Sequence, residues 1–183
     1  DSYPRAPNLL ERNFECNEPA QCWVSDITYI PTQMGFVYLT TMMDLFDRQI
    51  IGWALSDNLR AQDTVIAAWN MSVINRRPSK EMIFHSDRGS QYACTDFREI
   101  LSVFEVRQSM SRKANCWDNA VAESFFKILK SELVNHRSFQ NKLQAKLAIF
   151  EFIEMWYNTK RTHSTLGYLS PKQFYQNYLS NVA

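Results

Sequence analysis

Three runs rich in β-branched and aromatic residues crowd between residues 22 and 55, and their closeness constrains the fold more than any other feature. Cys22 to Ile30 (CWVSDITYI) ends at Pro31, Phe36 to Met43 (FVYLTTMM) follows a turn at Thr32 to Gly35, and Arg48 to Leu55 (RQIIGWAL) follows a second turn at Asp44 to Asp47. Such runs bounded by turn residues predict strands. Connections this short allow only antiparallel neighbours, because a parallel pair needs a crossover of about a dozen residues or more. A three-strand meander is expected, with Asp44 and Asp47 as turn residues.

After residue 60 the period changes. Val65, Trp69 and Val73 recur every four positions between Ala61 and Asn75, which predicts an amphipathic helix. Met82 to His85 then reads as a short buried strand, parallel to its neighbour because a helical crossover precedes it. Thr95 is expected to cap a helix carrying Phe97, Ile100, Leu101 and Phe104, and a brief strand follows around Val106. Ser109 to Trp117 lacks periodicity and reads as a loop. Asp118 is expected to cap a long helix through Val134, and a further helix from about Gln140 to Tyr157 places Leu143, Leu147 and Phe150 on one face. Ser170-Pro171 predicts the start of a last short helix. The order β-β-β-α-β-α-β-α-α-α is that of an α/β chain with helices packed on a mixed sheet. Residues 1–20, with Pro4, Pro7 and Pro19, read as an extended arm; residues 21–183 form the core, including C-terminal helices from about 138 to 183.

Composition narrows the function classes. With 183 residues, 45% of them hydrophobic, the chain can bury one sizeable core and is not a disordered or low-complexity protein. Cys16, Cys22, Cys94 and Cys116 form no C-x-x-C pair, and His85, His136 and His163 no zinc-like spacing, so reduced structural thiols in a cytoplasmic setting are expected. There is no apolar run long enough to span a bilayer and no signal sequence, so no membrane partner is expected. A start at Asp1 without methionine suggests a piece of a longer protein. The net charge of +1 argues against a polybasic coating protein, but it is unevenly spread. Residues 1–91 hold 8 Lys+Arg against 11 Asp+Glu, and residues 92–183 hold 12 against 8.

Three carboxylates stand out only as a set. Asp26 sits mid-strand among Trp23, Val24, Ile27 and Ile30, where an ionised carboxylate is costly without a partner or a metal, unless the strand end leaves it wet. Asp87 follows the buried strand at the end where open α/β sheets collect ligand-handling residues, although Asp-Arg-Gly alone is an ordinary turn. Glu123 lies in the helix after Asp118, sharing a face with Asn119, Lys127 and Lys130; alone it reads as an exposed ion-pairing residue. If the three converge, mutual repulsion requires divalent cations between them. Oxygen-only ligands suit Mg²⁺ or Mn²⁺, and a pair of such ions suits in-line displacement at phosphorus.

With 60 residues between Asp26 and Asp87 and 35 between Asp87 and Glu123, the set resembles the catalytic triad of retroviral integrases and bacterial insertion-sequence transposases. The surrounding words agree: WVSDITYI at 23–30, HSDRGSQY at 85–92, NCWDNA at 115–120 leading into AESFF at 122–126, and Tyr157-Asn158 with Arg161, His163, Leu166 and Pro171. Together they resemble the insertion-sequence-three family of transposases from about residue 18 to residue 178. The resemblance implies a ribonuclease-H-like mixed five-stranded sheet flanked by helices, with a C-terminal helical extension. It also implies Asp26, Asp87 and Glu123 as metal ligands and catalytic residues, two Mg²⁺ or Mn²⁺ ions, and metal-dependent nicking of DNA at element ends with transfer of the 3′-OH to target DNA. The expected partner is DNA, element ends and target alike, with no small-molecule substrate. A homo-oligomer on DNA is implied, as is bacterial cytoplasmic action on the nucleoid. Fuller relatives carry an N-terminal helix-turn-helix region that is not in this sequence. Ala114 departs from the glycine usual in the loop before the catalytic helix.

For DNA contact the expected residues are Asn119, Lys127 and Lys130 on the Glu123 face, Arg112 and Lys113 from the loop, and Arg161 and His163 from the basic segment KRTHST. A structural bend explains that segment nearly as well. Trp117 is the aromatic placed to stack on a base; Trp69, Trp156, Phe125 and Phe126 read as core, and His85 as packed structure. Two other readings remain: a nuclease of the same fold that joins nothing, and a non-catalytic DNA-binding or assembly module.

Overall fold

The computed structural model describes residues 3–13, 15–113 and 115–183, with the side chains at 116 and 117 outside the described set. Strands β1 (Cys22–Thr32), β2 (Gly35–Asp44) and β3 (Ile50–Ser56) form the expected antiparallel meander. A π-helical turn at Gln62–Ile66 leads into α1 (Ala67–Asn75), which crosses to β4 (Ile83–Ser86), parallel to β1. The short α2 (Ser90–Ala93) and α3 (Thr95–Val103) return the chain to β5 (Arg107–Met110), parallel to β4. The sheet order is β3-β2-β1-β4-β5, so the two parallel additions lie beyond the first strand of the meander.

Alternation along β1 feeds two cores. Cys22 and Val24 point to one face and Trp23 to the other, as the two-residue period of a strand requires. The first face packs against α4 (Ala120–Glu132) and α5 (Lys142–Phe150) through Phe125, Leu129 and Ile149. The second packs against α1 and α3, where Trp23 meets Trp69 at 5.3 Å and Trp69 meets Phe97 at 6.1 Å. Gly52 on β3 permits the close approach of α1: a Cβ there would come within 2.5 Å of the Ala68 carbonyl oxygen.

Pro31 lies inside β1 instead of ending it. β4 pairs only with Cys22–Val24, so no ladder on that side needs the amide that proline lacks. Thr95 is the first helical residue of α3 and makes no cap; Cys94 holds that position. Asp118 does not cap α4 either, because Asn119 occupies the position and the helix ends at Glu132. Leu143, Leu147 and Phe150 do share a face of α5, but it is the outer one; Ala145, Ala148 and Ile149 face the core. The helix continues beyond Phe150 through a wider π-helical stretch, Glu151–Tyr157. That register change brings Phe152, Ile153 and Tyr157 inward.

The chain closes on itself through Asn158. Its Oδ1 accepts from the Ile50 N–H and its Nδ2 donates to the Ile50 carbonyl, both at 2.9 Å, so a side chain serves as a ladder partner at the start of edge strand β3. The Asn158 carbonyl in turn accepts from Lys172 in α6 (Pro171–Val182), which starts with a complete capping box at Ser170 and Gln173. Phe174 and Tyr178 of α6 cover Phe46 at 5.1 and 4.9 Å. Cys16, Cys22 and Cys94 are free thiols; burial pushes Cys16 up to about 11 and Cys22 well above the ordinary thiol value. Among the described residues no helix is long and apolar enough to cross a membrane.

Candidate active site

The parallel register of β1 and β4 positions the first two carboxylates. Val24 pairs with His85, so Asp26 and Asp87, each two residues further on, emerge side by side at the same end of the sheet. Asp26 is largely buried on the strand, and its Oδ1 accepts from the Ile27 N–H at 2.9 Å. Asp87 is exposed just past β4, and its Oδ1 accepts from the Gly89 N–H at 2.8 Å. A Cβ at Gly89 would lie 2.9 Å from that oxygen, so the tight return of the carboxylate onto the chain needs glycine. Glu123, in the first turn of α4, is half-buried and lies over the same end.

Their proximity is visible in Asp26. Burial pushes its carboxyl up to about 7, and the charges of Asp87 and Glu123 push in the same direction; the Ile27 hydrogen bond and Lys130 pull back. Tyr92, whose hydroxyl sits 2.9 Å from Ser25 Oγ beneath the site, is likewise raised, first by burial and then by Asp26 and Asp87. The three acids are therefore coupled through space, yet they are not gathered into one ligand shell. Among the described residues no group of three His, Cys, Asp or Glu stands ready to hold a metal. Like charges stand apart unless a cation lies between them.

A cavity of about 700 Å³ opens beside Asp87 and Glu123. Arg5, Arg88, Arg112 and Lys113 bring positive charge to its wall, and Asn119 and Ser111 line it too. Asn119 is 4% exposed. Its Nδ2 donates to the Ser25 carbonyl at 3.3 Å, while its Oδ1 has no hydrogen-bond partner. A carbonyl can only accept, which fixes the amide nitrogen on Ser25 and leaves an acceptor oxygen for the cavity. One N–H of the Asn119 amide is committed to Ser25 and the second is not, so a phosphate contact remains open to it. The oxygen also fits a divalent cation: three carboxylates and a buried amide oxygen without a partner among the described residues form an oxygen-only donor set of the kind Mg²⁺ or Mn²⁺ takes.

Asp118 has a different task from the cap expected of it. Arg112 Nε and Nη2 reach its two oxygens at 3.0 and 2.9 Å, the Arg112 N–H adds a bond at 2.9 Å, and Arg12 Nε arrives at 3.2 Å from the N-terminal arm. The Arg112 side chain first, and Arg12 after it, hold this carboxyl well below the usual carboxylate range. Arg112 is thus tied to its own loop while still lining the cavity. The arm runs along β5, with Met110 donating to the Pro7 carbonyl at 3.1 Å and Leu9 donating to Ser109 Oγ at 2.8 Å. Arg5 enters the site by this route, and no periodicity in the proline-bearing arm announces it.

His85 is fully buried between Ser109 Oγ at 2.8 Å and Ser111 Oγ at 3.4 Å, and burial lowers it to about 4, so it is a neutral structural group. Lys127 is exposed on the outer side of α4, and Lys130 stands 5.6 Å from the ring of Tyr29. Arg161 and His163 are in contact with each other, away from this cavity, in a second one described below. Trp69, Phe125 and Phe126 are buried and Trp156 partly so. Ala114 and the Trp117 side chain lie outside the described residues.

Comparison with known proteins places the chain in a family. Two models described as integrase core domain match residues 17–116 and 105–171. The transposase for insertion sequence element IS904 of Lactococcus lactis is 42% identical over 169 residues, covering 92% of this chain and 66% of that protein. An insertion element IS600 protein of Shigella sonnei is 42% identical over 175 residues, covering 96% of this chain and 64% of that protein. Transposase InsF for IS3A of Escherichia coli is 40% identical over 171 residues, or 93% and 59% of the two chains. The chain thus spans about two thirds or less of the curated relatives it matches. Among solved structures, the simian T-cell lymphotropic virus intasome superposes with a TM-score of 0.71 at 15% identity, over 94% of this chain and 58% of that one. The trimeric HTLV-2 integrase catalytic core domain in complex with magnesium gives 0.66 at 13% identity, over 87% and 99%. These likenesses show a ribonuclease-H-like fold. The chain belongs to the integrase core domain family, with IS3-family transposases as its relatives.

Proposed function

We propose that this chain is the catalytic core of a DNA transposase, a metal-dependent polynucleotidyl transferase that nicks DNA at the ends of its element and joins the freed 3′-OH to target DNA. The observation that carries the reading is Asp26, largely buried on its strand beside two further carboxylates and, among the described residues, with no Arg or Lys in a salt bridge to it. A protein keeps such a group at a cost, and a cation-binding site explains the cost.

In this reading Asp26, Asp87 and Glu123 hold Mg²⁺ or Mn²⁺, with Asn119 Oδ1 as the neutral oxygen aimed into the same space. When bound, two such ions supply charge neutralisation and activation of hydroxyl at phosphorus. The chain's own residues do the rest. Gly89 and the Ile27 amide fix the orientation of Asp87 and Asp26, and α4 sets the depth of Glu123. Arg5, Arg88, Arg112 and Lys113 bring the polyanion to the cavity wall, with Lys127 further along α4. The Arg112–Asp118–Arg12 cluster keeps the loop beside Glu123 in place. DNA is the partner, as the name of the IS3 relative suggests, and the intasome neighbour supports assembly as an oligomer on DNA.

Two measurements test this. Calorimetric titration of the chain with Mn²⁺ should show binding that is lost in both Asp26→Asn and Glu123→Gln; Mn²⁺ binding unaltered in both variants would leave a DNA-binding or assembly module. Incubation with a labelled duplex carrying element-end sequence and Mn²⁺ should give nicked and joined products, both absent in Glu123→Gln. Nicking with no joined product points to the nuclease reading.

A further inference from the structure

A second cavity, of about 550 Å³, lies on the neighbouring flank of α4. Glu123 faces the first cavity and Ser124, about 100° further round the helix, faces the second. The β2–β3 turn supplies Arg48, and the segment between the last two helices supplies Arg161, Thr162, His163 and Thr165. None of the residues lining it is acidic. Its floor is apolar, formed in part by Phe125 and Ile128.

The polar groups converge. Arg48 has a left-handed backbone, φ 61°, in a turn closed by its own N–H on the Asp44 carbonyl at 2.9 Å, which directs its half-buried side chain away from the sheet edge. Arg161 Nη1 donates to the His163 ring, 3.2 Å from Nδ1. His163 reports the field inside: burial, then Arg161, then Arg48 lower its imidazole to about 4, so it is a neutral ring beside two guanidiniums. Asp47, the acid whose charge reaches neighbouring Tyr157, is committed to Arg76 at 2.9 Å. Two cations, a neutral imidazole and hydroxyl donors around an open cavity without a carboxylate match a phosphate group in charge and in hydrogen-bond sense.

We infer that this cavity is a second DNA-backbone subsite, in which Arg161, with Arg48 behind it and the hydroxyls of Ser124 and Thr162 at the rim, holds a phosphodiester of the strand that also passes Glu123. The assignment rests on the DNA-processing reading above and extends it to a place that reading does not use. The contact is to backbone, so it adds affinity for any sequence.

The test is fluorescence anisotropy of a labelled random-sequence duplex with the 183-residue chain across a salt series. Arg161→Gln is expected to weaken binding about tenfold and to reduce the slope of log affinity against log salt by about one. Thr162→Glu, an exposed position that tolerates the change, places a negative charge in the mouth and should weaken binding at least as much; thermal melting confirms that both variants fold. Lys127→Gln, on the carboxylate flank, serves as the comparator. If Lys127→Gln loses affinity while Arg161→Gln and Thr162→Glu keep wild-type affinity and slope, the subsite is wrong and the DNA reading stands. If the wild-type chain binds no duplex, both fall. Titration with inorganic phosphate separates sources: phosphate binding lost in Arg161→Gln, with duplex affinity intact, would make this a small-anion site and overturn the assignment.

Discussion

Two sets of acids meet the same pair of strands, one at Asp44 and the other, three residue pairs away, at Asp26, and they are balanced in opposite ways. Asp44, opposite Trp23, is fully buried and accepts from Ala20 N–H, Trp23 Nε1, Phe46 N–H and Arg76 Nη1. Asp47 beside it takes the other arm of Arg76, whose guanidinium lies 4.1 Å from the Tyr175 ring. Burial works against the Arg76 charge, but Asp47 and Asp44 outweigh it and raise Arg76 above its ordinary value. Asp26, opposite Thr41, has one backbone hydrogen bond and two like-charged neighbours. Asp44, Asp47 and, for the most part, Asp26 are withdrawn from water, whereas Asp87 is exposed; among the described residues only the first set carries its own counter-charge. That difference separates a structural charge cluster from a group of acids left without a paired cation.

The comparison can be broken at either end. Arg76→Ala leaves two acids buried without their cation, and should cost about 3–5 kcal/mol in urea unfolding; a loss near zero would show that the first set does not depend on its arginine. Asp26→Asn should do the reverse. Folded Asp26 keeps its proton up to about 7, whereas an unfolded aspartate releases it near 3.9. The folded state thus binds the extra proton at Asp26 between those values, and in chelator the stability of the wild type relative to Asp26→Asn should fall as pH rises through that window. At about 1.4 kcal/mol per pKa unit, the penalty is on the order of a few kcal/mol, and Asp26→Asn should remove it while abolishing metal-dependent cleavage. A stability difference between wild type and Asp26→Asn that stays flat from pH 4 to 7 would refute the desolvated state, because the difference cancels Asp47, His85 and His163, which titrate in the same window.

A smaller effect is expected at Asp118, another buried acid, which borders the site yet is satisfied by arginines. Asp118→Asn should speed amide exchange at Arg112, whose N–H it now binds, without changing the titration of Asp26. The smallest belongs to Lys130→Ala. Lys130 opposes the other influences on Asp26, so its loss should move the Asp26 midpoint slightly upward in a carboxyl NMR titration.

The sequence makes the sheet and the three acids legible because both depend on local pattern: period-two runs, short turns, and carboxylates at fixed positions in recognisable words. The meander, the parallel β4 and the capped α6 follow from such patterns. What escapes depends on partners far along the chain. Asp118 has the look of a cap, but its partner Arg12 is 106 residues away. Asp44 and Asp47 have the look of turn residues, and only the fold brings Arg76 to them. Leu143, Leu147 and Phe150 form a stripe as good as any core stripe; the smaller Ala145 and Ala148 are inside because close packing of α5 on the sheet side favours small residues. Asn119 falls on the right helical face in the sequence, but only the Ser25 carbonyl reveals which end of its amide remains available.

The pairing of Asn158 with Ile50 sets an order on folding. Edge strand β3 gains its last two ladder bonds from a residue 108 positions later, and the next bond from that residue goes to α6. A nascent chain that has exposed all five strands but not residue 158 carries an unfinished edge, open to pairing with another chain. The same residue therefore completes the start of edge strand β3 and anchors the first turn of the last helix, so the edge stays open until the helical C-terminal segment has been made.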